Sequence, residues 1–158
     1  MNPVVAVIAP GMMGAAVAGR LVENGLKVLT SLSGRSAETV ARAKKHGLTS
    51  ATDEEIAGAD FILSILPPGD AVSLAQRFAP ALTASNSKPV YVDCNAVSPR
   101  TAERIAAVIA PTGSPFVDAG IIGAPPKAND AGPRFYASGP AAPHFAALRD
   151  YGLSLIHI

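Results

Sequence analysis

The stretch that most constrains this chain is Val4-Val5-Ala6-Val7-Ile8-Ala9-Pro10-Gly11-Met12-Met13-Gly14-Ala15-Ala16-Val17-Ala18-Gly19-Arg20-Leu21. An apolar, β-branched run stops at a glycine-bearing turn, and a small-residue helix starts at once. The first N–H groups of a helix have no partner within it, and its dipole is positive at that end. A strand–turn–helix of this kind therefore offers backbone donors to a phosphate. The rest of the chain is expected to extend the sheet or to complete a nucleotide site.

The 158 residues suit one domain with a real core, and 49% of them are hydrophobic against 16% charged, which excludes disorder. A net charge of +1 gives no electrostatic case for nucleic acid or an anionic membrane. No apolar run reaches the roughly 18 residues of a spanning helix, and no basic region precedes an apolar one as in a signal peptide. Cys94 is the single cysteine, so no intrachain disulfide can form. No Cys/His spacing suggests a metal. The expected setting is the reducing cytoplasm.

Along the chain, residues 4–9 read as a strand buried on both faces. Residues 12–24 read as a helix ended by Asn24-Gly25, and Leu26–Thr30 as a second strand. Ser36 is placed to cap a helix over 37–46. Thr52 and Glu55 have capping-box spacing for a short helix. Strands are expected over 60–66, 89–93, 115–121 and 134–138. Helices are expected over 70–79, over 99–109 behind the cap Ser98, and over 141–150. Residues 125–133, rich in Gly and Pro, read as a mobile loop. Strands alternating with helices argue for an α/β, doubly wound, Rossmann-type parallel sheet.

The first turn compares with the dinucleotide fingerprint G-x-G-x-x-G, with Ala9 in place of the first glycine. Gly11 would let the backbone approach a pyrophosphate, and Gly14 would let the helix lie close to the strand. The N–H groups of Met12 and Met13 are the expected phosphate donors, whereas Pro10 has none to give. A plain tight turn between strand and helix is the alternative. An NAD site usually carries an acid roughly 20 residues on, to bind the ribose 2′-hydroxyl. That place holds Ser33-Gly34-Arg35-Ser36 instead. Arg35 would pair with a 2′-phosphate, helped by the hydroxyl of Ser33 or Ser36 and by the following helix N-terminus. The expected cofactor is NADP. The competing reading makes Arg35 a solvated surface charge.

With these residues in view, the sequence resembles the N-terminal domain of the β-hydroxyacid dehydrogenase superfamily. That superfamily includes 6-phosphogluconate dehydrogenase, 3-hydroxyisobutyrate dehydrogenase and the imine reductases. The family's glycine turn with Met before the last Gly is matched by Gly11-Met12-Met13-Gly14. Its Asn-Arg-Ser/Thr after the second strand is similar to Gly34-Arg35-Ser36. Its strand ending in Leu-Pro is matched by Leu66-Pro67, which the resemblance lays along the adenosine. Its Asp-x-Ser/Thr or Gly-Gly-Asn stretch followed by Pro is similar to Asp93-Cys94-Asn95-Ala96-Val97-Ser98-Pro99, and the resemblance implies that Asn95 contacts the nicotinamide ribose and the substrate. Its substrate loop is similar to Asp118–Ala124, with Ile122, Gly123 and Ala124 in the substrate-binding place. The resemblance covers about residues 3–152. It implies an oxidoreductase that moves hydride between nicotinamide and a small hydroxyacid, carbonyl or imine substrate.

Two departures qualify that implication. Ile122 stands where many members use Ser to hold a carboxylate or hydroxyl, and an apolar side chain cannot do so. The family's catalytic Lys lies on a helix beyond the last residue of this chain, as does its all-helical C-terminal domain. Lys127 reads as a solvated charge. No catalytic residue is therefore assigned. The chain is expected to bind cofactor without useful turnover, and to dimerise only with that further domain. A non-enzymatic NADP-binding module or an inert gene fragment is the competing class.

The closing segment 153–158, Leu-Ser-Leu-Ile-His-Ile, matches the translation of a sequencing-library adapter and is read as a scar outside the domain of residues 1–152. The alternative is a genuine strand. Cys94 reads as a buried small residue and His46 as a partner of its helix dipole. His144 has no evident partner, and His157 belongs to the closing segment. Asp93 and Asp118 end strands, where ligands meet a parallel sheet.

Overall fold

Strand β1 (Val5–Ile8) is fully buried and runs into the turn that starts α1 (Met12–Glu23). The computed structural model describes residues 2–9 and 11–158, so Pro10, read above as a residue without an N–H donor, lies outside the described residues. The chain continues through β2 (Val28–Thr30), α2 (Ala37–Lys45), β3 (Thr49–Ser50), α3 (Asp53–Ala57), β4 (Phe61–Ser64) and α4 (Ala71–Ala84). It ends with β5 (Val90–Asp93), α5 (Pro99–Ile109), β6 (Phe116–Ile122), β7 (Arg134–Ser138), α6 (Ala142–Phe145) and β8 (Ser154–His157). Among the described residues these strands form one sheet in the order β3-β2-β1-β4-β5-β6-β7-β8. The order reverses at β1/β4, the switch point outside which open α/β sheets bind ligands.

Local chemistry explains the boundaries. The Ser36 hydroxyl accepts from the Thr39 N–H and the Ser98 hydroxyl from the Thr101 N–H. Thr52 and Glu55 form a reciprocal capping box. Each of these three caps falls where the sequence puts it. Helix α4 runs to Ala84, past the expected end at 79, and carries Pro80 within it. The hydrogen bond that Pro80 cannot make belongs to Gln76, on the exposed side, while Phe78 and Leu82 bury the other side. Packing therefore outweighs the local penalty. Residues 142–151 split into α6 and a 3-10 turn rather than one helix.

Two apolar cores flank the sheet. Val5, Val7, Leu63, Val92 and Val117 face α1 and α6, and Ala6, Ile62 and Tyr91 face α3, α4 and α5. The core is aliphatic, and the large side chains Phe78, Tyr91, Phe135 and Phe145 are each buried.

Three features correct the sequence reading. Strand β7 runs antiparallel to β6, because residues 123–133 contain no crossover helix and a parallel return would need one. Strand β3, two exposed residues long, is too short to show periodicity. The loop expected to be mobile is tied down. Arg20 of α1 donates to the Lys127 carbonyl at 2.8 Å, to the Asp130 carbonyl at 3.0 Å and to the Asp130 carboxylate at 3.1 Å. Asp130 in turn accepts from the Lys127 and Gly132 N–H groups, which with Arg20 hold its carboxyl below the usual range. Residues 154–157 also lie within the sheet, paired parallel with β7, and Leu153 and Leu155 are buried.

Arg20→Ala is therefore expected to release residues 125–133. It should cost about 1–2 kcal/mol, since the guanidinium is mostly buried and its bonds are charge-assisted. Limited proteolysis should show new cleavage in that segment. An unchanged digestion pattern would show that the loop is held by other contacts.

Candidate cofactor site at the carboxyl end of the sheet

The site is built where β1 and β4 diverge. Gly11 caps α1 in an extended conformation without a side-chain cap, and no acid lies in the first turn of the helix. The Met12 and Met13 N–H groups lie in the first turn, where no helix carbonyl can reach them. The Gly11 N–H is already bonded to the Ala9 carbonyl at 2.9 Å, so Gly11 contributes space rather than a donor. A Cβ on Gly11 would meet nothing within 4 Å, whereas one on Gly14 would stand 2.5 Å from the Ala9 carbonyl oxygen. Gly14 is thus the point at which α1 closes on the strand. Met12 is 75% exposed over this turn.

Beyond β2, Ser33 and Gly34 form an exposed turn, and Ser36 is occupied with its own helix cap. Arg35 is exposed, its backbone N–H donates to the Leu32 carbonyl at 3.1 Å, and its side chain makes no hydrogen bond or ion pair among the described residues. It lines a cleft of about 300 Å³ together with Ala9, Ser31, Leu66, Leu74 and Arg77. The end of β1, the Arg35 loop and the end of β4 therefore converge. Pro67 is exposed just past Leu66.

Asn95 is placed differently from its neighbours. It is 6% exposed. Its Oδ1 accepts from the Leu66 N–H at 2.8 Å, and its Nδ2 donates to the Ser64 hydroxyl at 3.0 Å. Its own N–H donates to Asp93 Oδ1 at 2.8 Å. Asn95 thus fastens the ends of β4 and β5 together and fixes Leu66. One Nδ2 hydrogen and one Oδ1 lone pair are left for a ligand. The second oxygen of Asp93 is buried without a partner. Burial, reinforced by the charge of Asp118, pushes the Asp93 carboxyl up to about 6. Burial also raises Asp118, its neighbour in register on β6.

Ile122 ends β6 and is 66% exposed. Gly123 has a φ of +126°, and a Cβ there would come within 3.1 Å of Pro133, so this position favours glycine. Ala124 follows, exposed. These three residues follow β6, which the strand order separates from the Arg35 loop after β2 by β1, β4 and β5. Cys94 is buried, and burial raises its thiol well above the ordinary value, as for an inert side chain. His46 caps the end of α2, where its expected dipole partner lies. Among the described residues no group of three or more His, Cys, Asp or Glu could hold a metal, and no helix is long and apolar enough to cross a membrane.

Sequence reasoning missed Arg77. It lies on α4, in the stripe Asp70-Ser73-Leu74-Arg77 that lines the same cleft. The spacing i, i+3, i+4, i+7 of one helix face was available as a signal.

A sequence profile described as the NAD binding domain of 6-phosphogluconate dehydrogenase matches residues 4–150. The solved structure of MTH1747, a conserved protein of unknown function described as similar to 3-hydroxyacid dehydrogenases, is 33% identical with a TM-score of 0.87. The match covers 98% of this chain and 57% of that one. A conserved hypothetical protein from Sinorhizobium meliloti 1021 matches at 25% identity and TM-score 0.87, over 100% of this chain and 54% of that one. The 3-hydroxyisobutyrate dehydrogenase of Mycobacterium tuberculosis, solved with L-serine, has the same fold at 24% identity and TM-score 0.79, over 99% of this chain and 54% of that one. This chain thus spans little more than half the length of these proteins. No curated protein matches it.

Proposed function

Because this chain belongs to the family of 6-phosphogluconate dehydrogenase NAD-binding domains, we propose that it is the NADP(H)-binding part of a dehydrogenase or reductase acting on a small molecule. The observation that carries the choice of NADP is Arg35. Its side chain is a cation without a partner among the described residues, in the cleft at the end of β1, where an NAD site would have an acid. Gly11 leaves room for the pyrophosphate, Gly14 lets α1 close on β1, and the Met12 and Met13 N–H groups bind the phosphate. Arg35 takes the 2′-phosphate, with the Ser33 and Gly34 turn and Ser36 beside it. Leu66 and Pro67 lie along the adenosine. Asn95 holds Leu66 in place and offers its remaining hydrogen toward the nicotinamide end. Ile122, Gly123 and Ala124 form the near wall for substrate, an apolar one, which favours a carbonyl or imine over a carboxylate at that point. When bound, the nicotinamide supplies the hydride chemistry, and the protein supplies position.

NADPH should bind this chain more tightly than NADH. Arg35→Ala should weaken NADPH by about 2 kcal/mol, a loss typical of a hydrogen bond to a charged group, and leave NADH nearly unchanged. Fluorescence titration of both reduced cofactors measures this. Equal affinities in the unaltered chain would defeat the 2′-phosphate assignment.

A further inference from the structure

Arg77 separates two clefts. One is the cleft of about 300 Å³ that it shares with Arg35, and the other is a groove of about 820 Å³ bounded by Leu32, Thr52 and Glu54. Its guanidinium is held in place on one edge. Nε donates to Asp53 Oδ2 at 3.1 Å, and Nη2 donates to Asp53 Oδ1 at 2.7 Å and to the Ser31 hydroxyl at 2.8 Å. The guanidinium carbon also lies 5.1 Å from the centre of the Phe78 ring. An arginine has five N–H donors, and these bonds use the three on the Nε/Nη2 edge. The two on Nη1 have no partner among the described residues.

Such a side chain is ordered before any ligand arrives. Most of the rotamer entropy that a free arginine loses on binding is already spent in the fold. Because exposed ion pairs add little stability, what Asp53 and Ser31 chiefly give is the direction of the guanidinium. They anchor β2, α3 and α4 around one guanidinium that opens onto the adenosine cleft. Asp70 is the one acid lining that cleft, set against two arginines.

We propose that Arg77 is a second specificity determinant for the 2′-phosphate, its free Nη1 edge sharing that anion with Arg35, and that Asp53 is its positioning residue. This rests on the NADP reading above. It adds that discrimination depends on a guanidinium from α4, fixed by Asp53 and Ser31, as well as the exposed one after β2. A flexible cation supplies charge alone, whereas a fixed fork supplies direction.

The test is isothermal titration of this chain with 2′,5′-ADP and with 5′-AMP, which differ by the 2′-phosphate, for the unaltered protein, Arg35→Ala and Arg77→Met. Thermal melts run alongside. The unaltered chain should favour 2′,5′-ADP. Each substitution should weaken 2′,5′-ADP by about tenfold while 5′-AMP changes by less than about twofold, the signature of a lost charge-assisted bond. If Arg77→Met melts below the assay temperature, Arg77→Lys carries the test. It keeps the charge but not the fork, and should still lose part of the discrimination. If Arg35→Ala abolishes the preference and both Arg77 variants keep it, the inference is overturned while the NADP reading stands. Equal weakening of both ligands by the Arg77 variants would make Arg77 a wall of the adenosine cleft only, and also overturns it. An unaltered chain without any preference overturns both.

Discussion

Gly14→Ala is expected to destabilise the domain by about 3 kcal/mol, near the upper end for overpacking a tight site, and to weaken NADPH by more than tenfold. The added methyl would stand 2.5 Å from the Ala9 carbonyl oxygen. That atom is backbone, so no rotamer change relieves the contact. Either α1 moves out along its length or the end of β1 bends. The first choice opens the helix–strand packing around Val17, Ala18 and Leu21, each of them buried. The second displaces the Met12 and Met13 N–H groups from the place where the phosphate would sit. The two losses are measured separately, by urea unfolding and by cofactor titration. A variant with unaltered unfolding midpoint would mean that the turn is softer than this packing implies. Gly11→Ala is the control, since its methyl would meet nothing within 4 Å.

The second large effect concerns Asp93 and pH. Its carboxyl is 1% exposed and pushed up to about 6 from an ordinary 3.8, by burial first and by the charge of Asp118. The folded chain therefore holds this proton more tightly than the unfolded chain. The contribution to stability is fully present below about pH 4 and is lost as pH rises through about 6. The rise from 3.8 to about 6 corresponds to about 3 kcal/mol. Glu55 and Asp130, whose carboxyls are lowered by hydrogen bonds, pull in the opposite direction. The total curve thus hides the effect, and the difference between the unaltered chain and Asp93→Asn reveals it. Asn keeps an oxygen to accept the Asn95 N–H but cannot ionise. Relative to the unaltered chain, the variant should gain stability as pH rises from about 4 to about 6 and level off above that. Urea unfolding across that range provides the measurement. A difference that stays flat with pH would show that Asp93 ionises normally in the fold.

Different physics decides which parts of this molecule can be read from its sequence. The three helix caps at Ser36, Thr52 and Ser98 are local, within four residues, and each is visible as a spacing. Strands β1, β4 and β5 are buried on both faces, so they appear as continuous apolar runs. The antiparallel return of β7 was implicit in the lack of a helix between 123 and 133, yet the alternation elsewhere suggested a wholly parallel sheet. The tie from Arg20 to Asp130 spans 110 residues and has no local signature. The same holds for the candidate site. The glycine turn and the Arg35 loop are contiguous motifs and could be read directly. Arg77 reaches Ser31 across 46 residues, and Asn95 reaches Leu66 across 29. Both depend on which strands lie side by side.

The central claim is that this cleft holds NADP with its pyrophosphate on the first turn and its 2′-phosphate at Arg35. A crystal structure of the chain grown with NADP+ tests it most directly. The expected result places pyrophosphate oxygens against the Met12 and Met13 N–H groups and the 2′-phosphate against the Arg35 guanidinium. A cofactor whose 2′-phosphate points to solvent away from Arg35, or whose pyrophosphate lies off the Gly11–Gly14 turn, would contradict it.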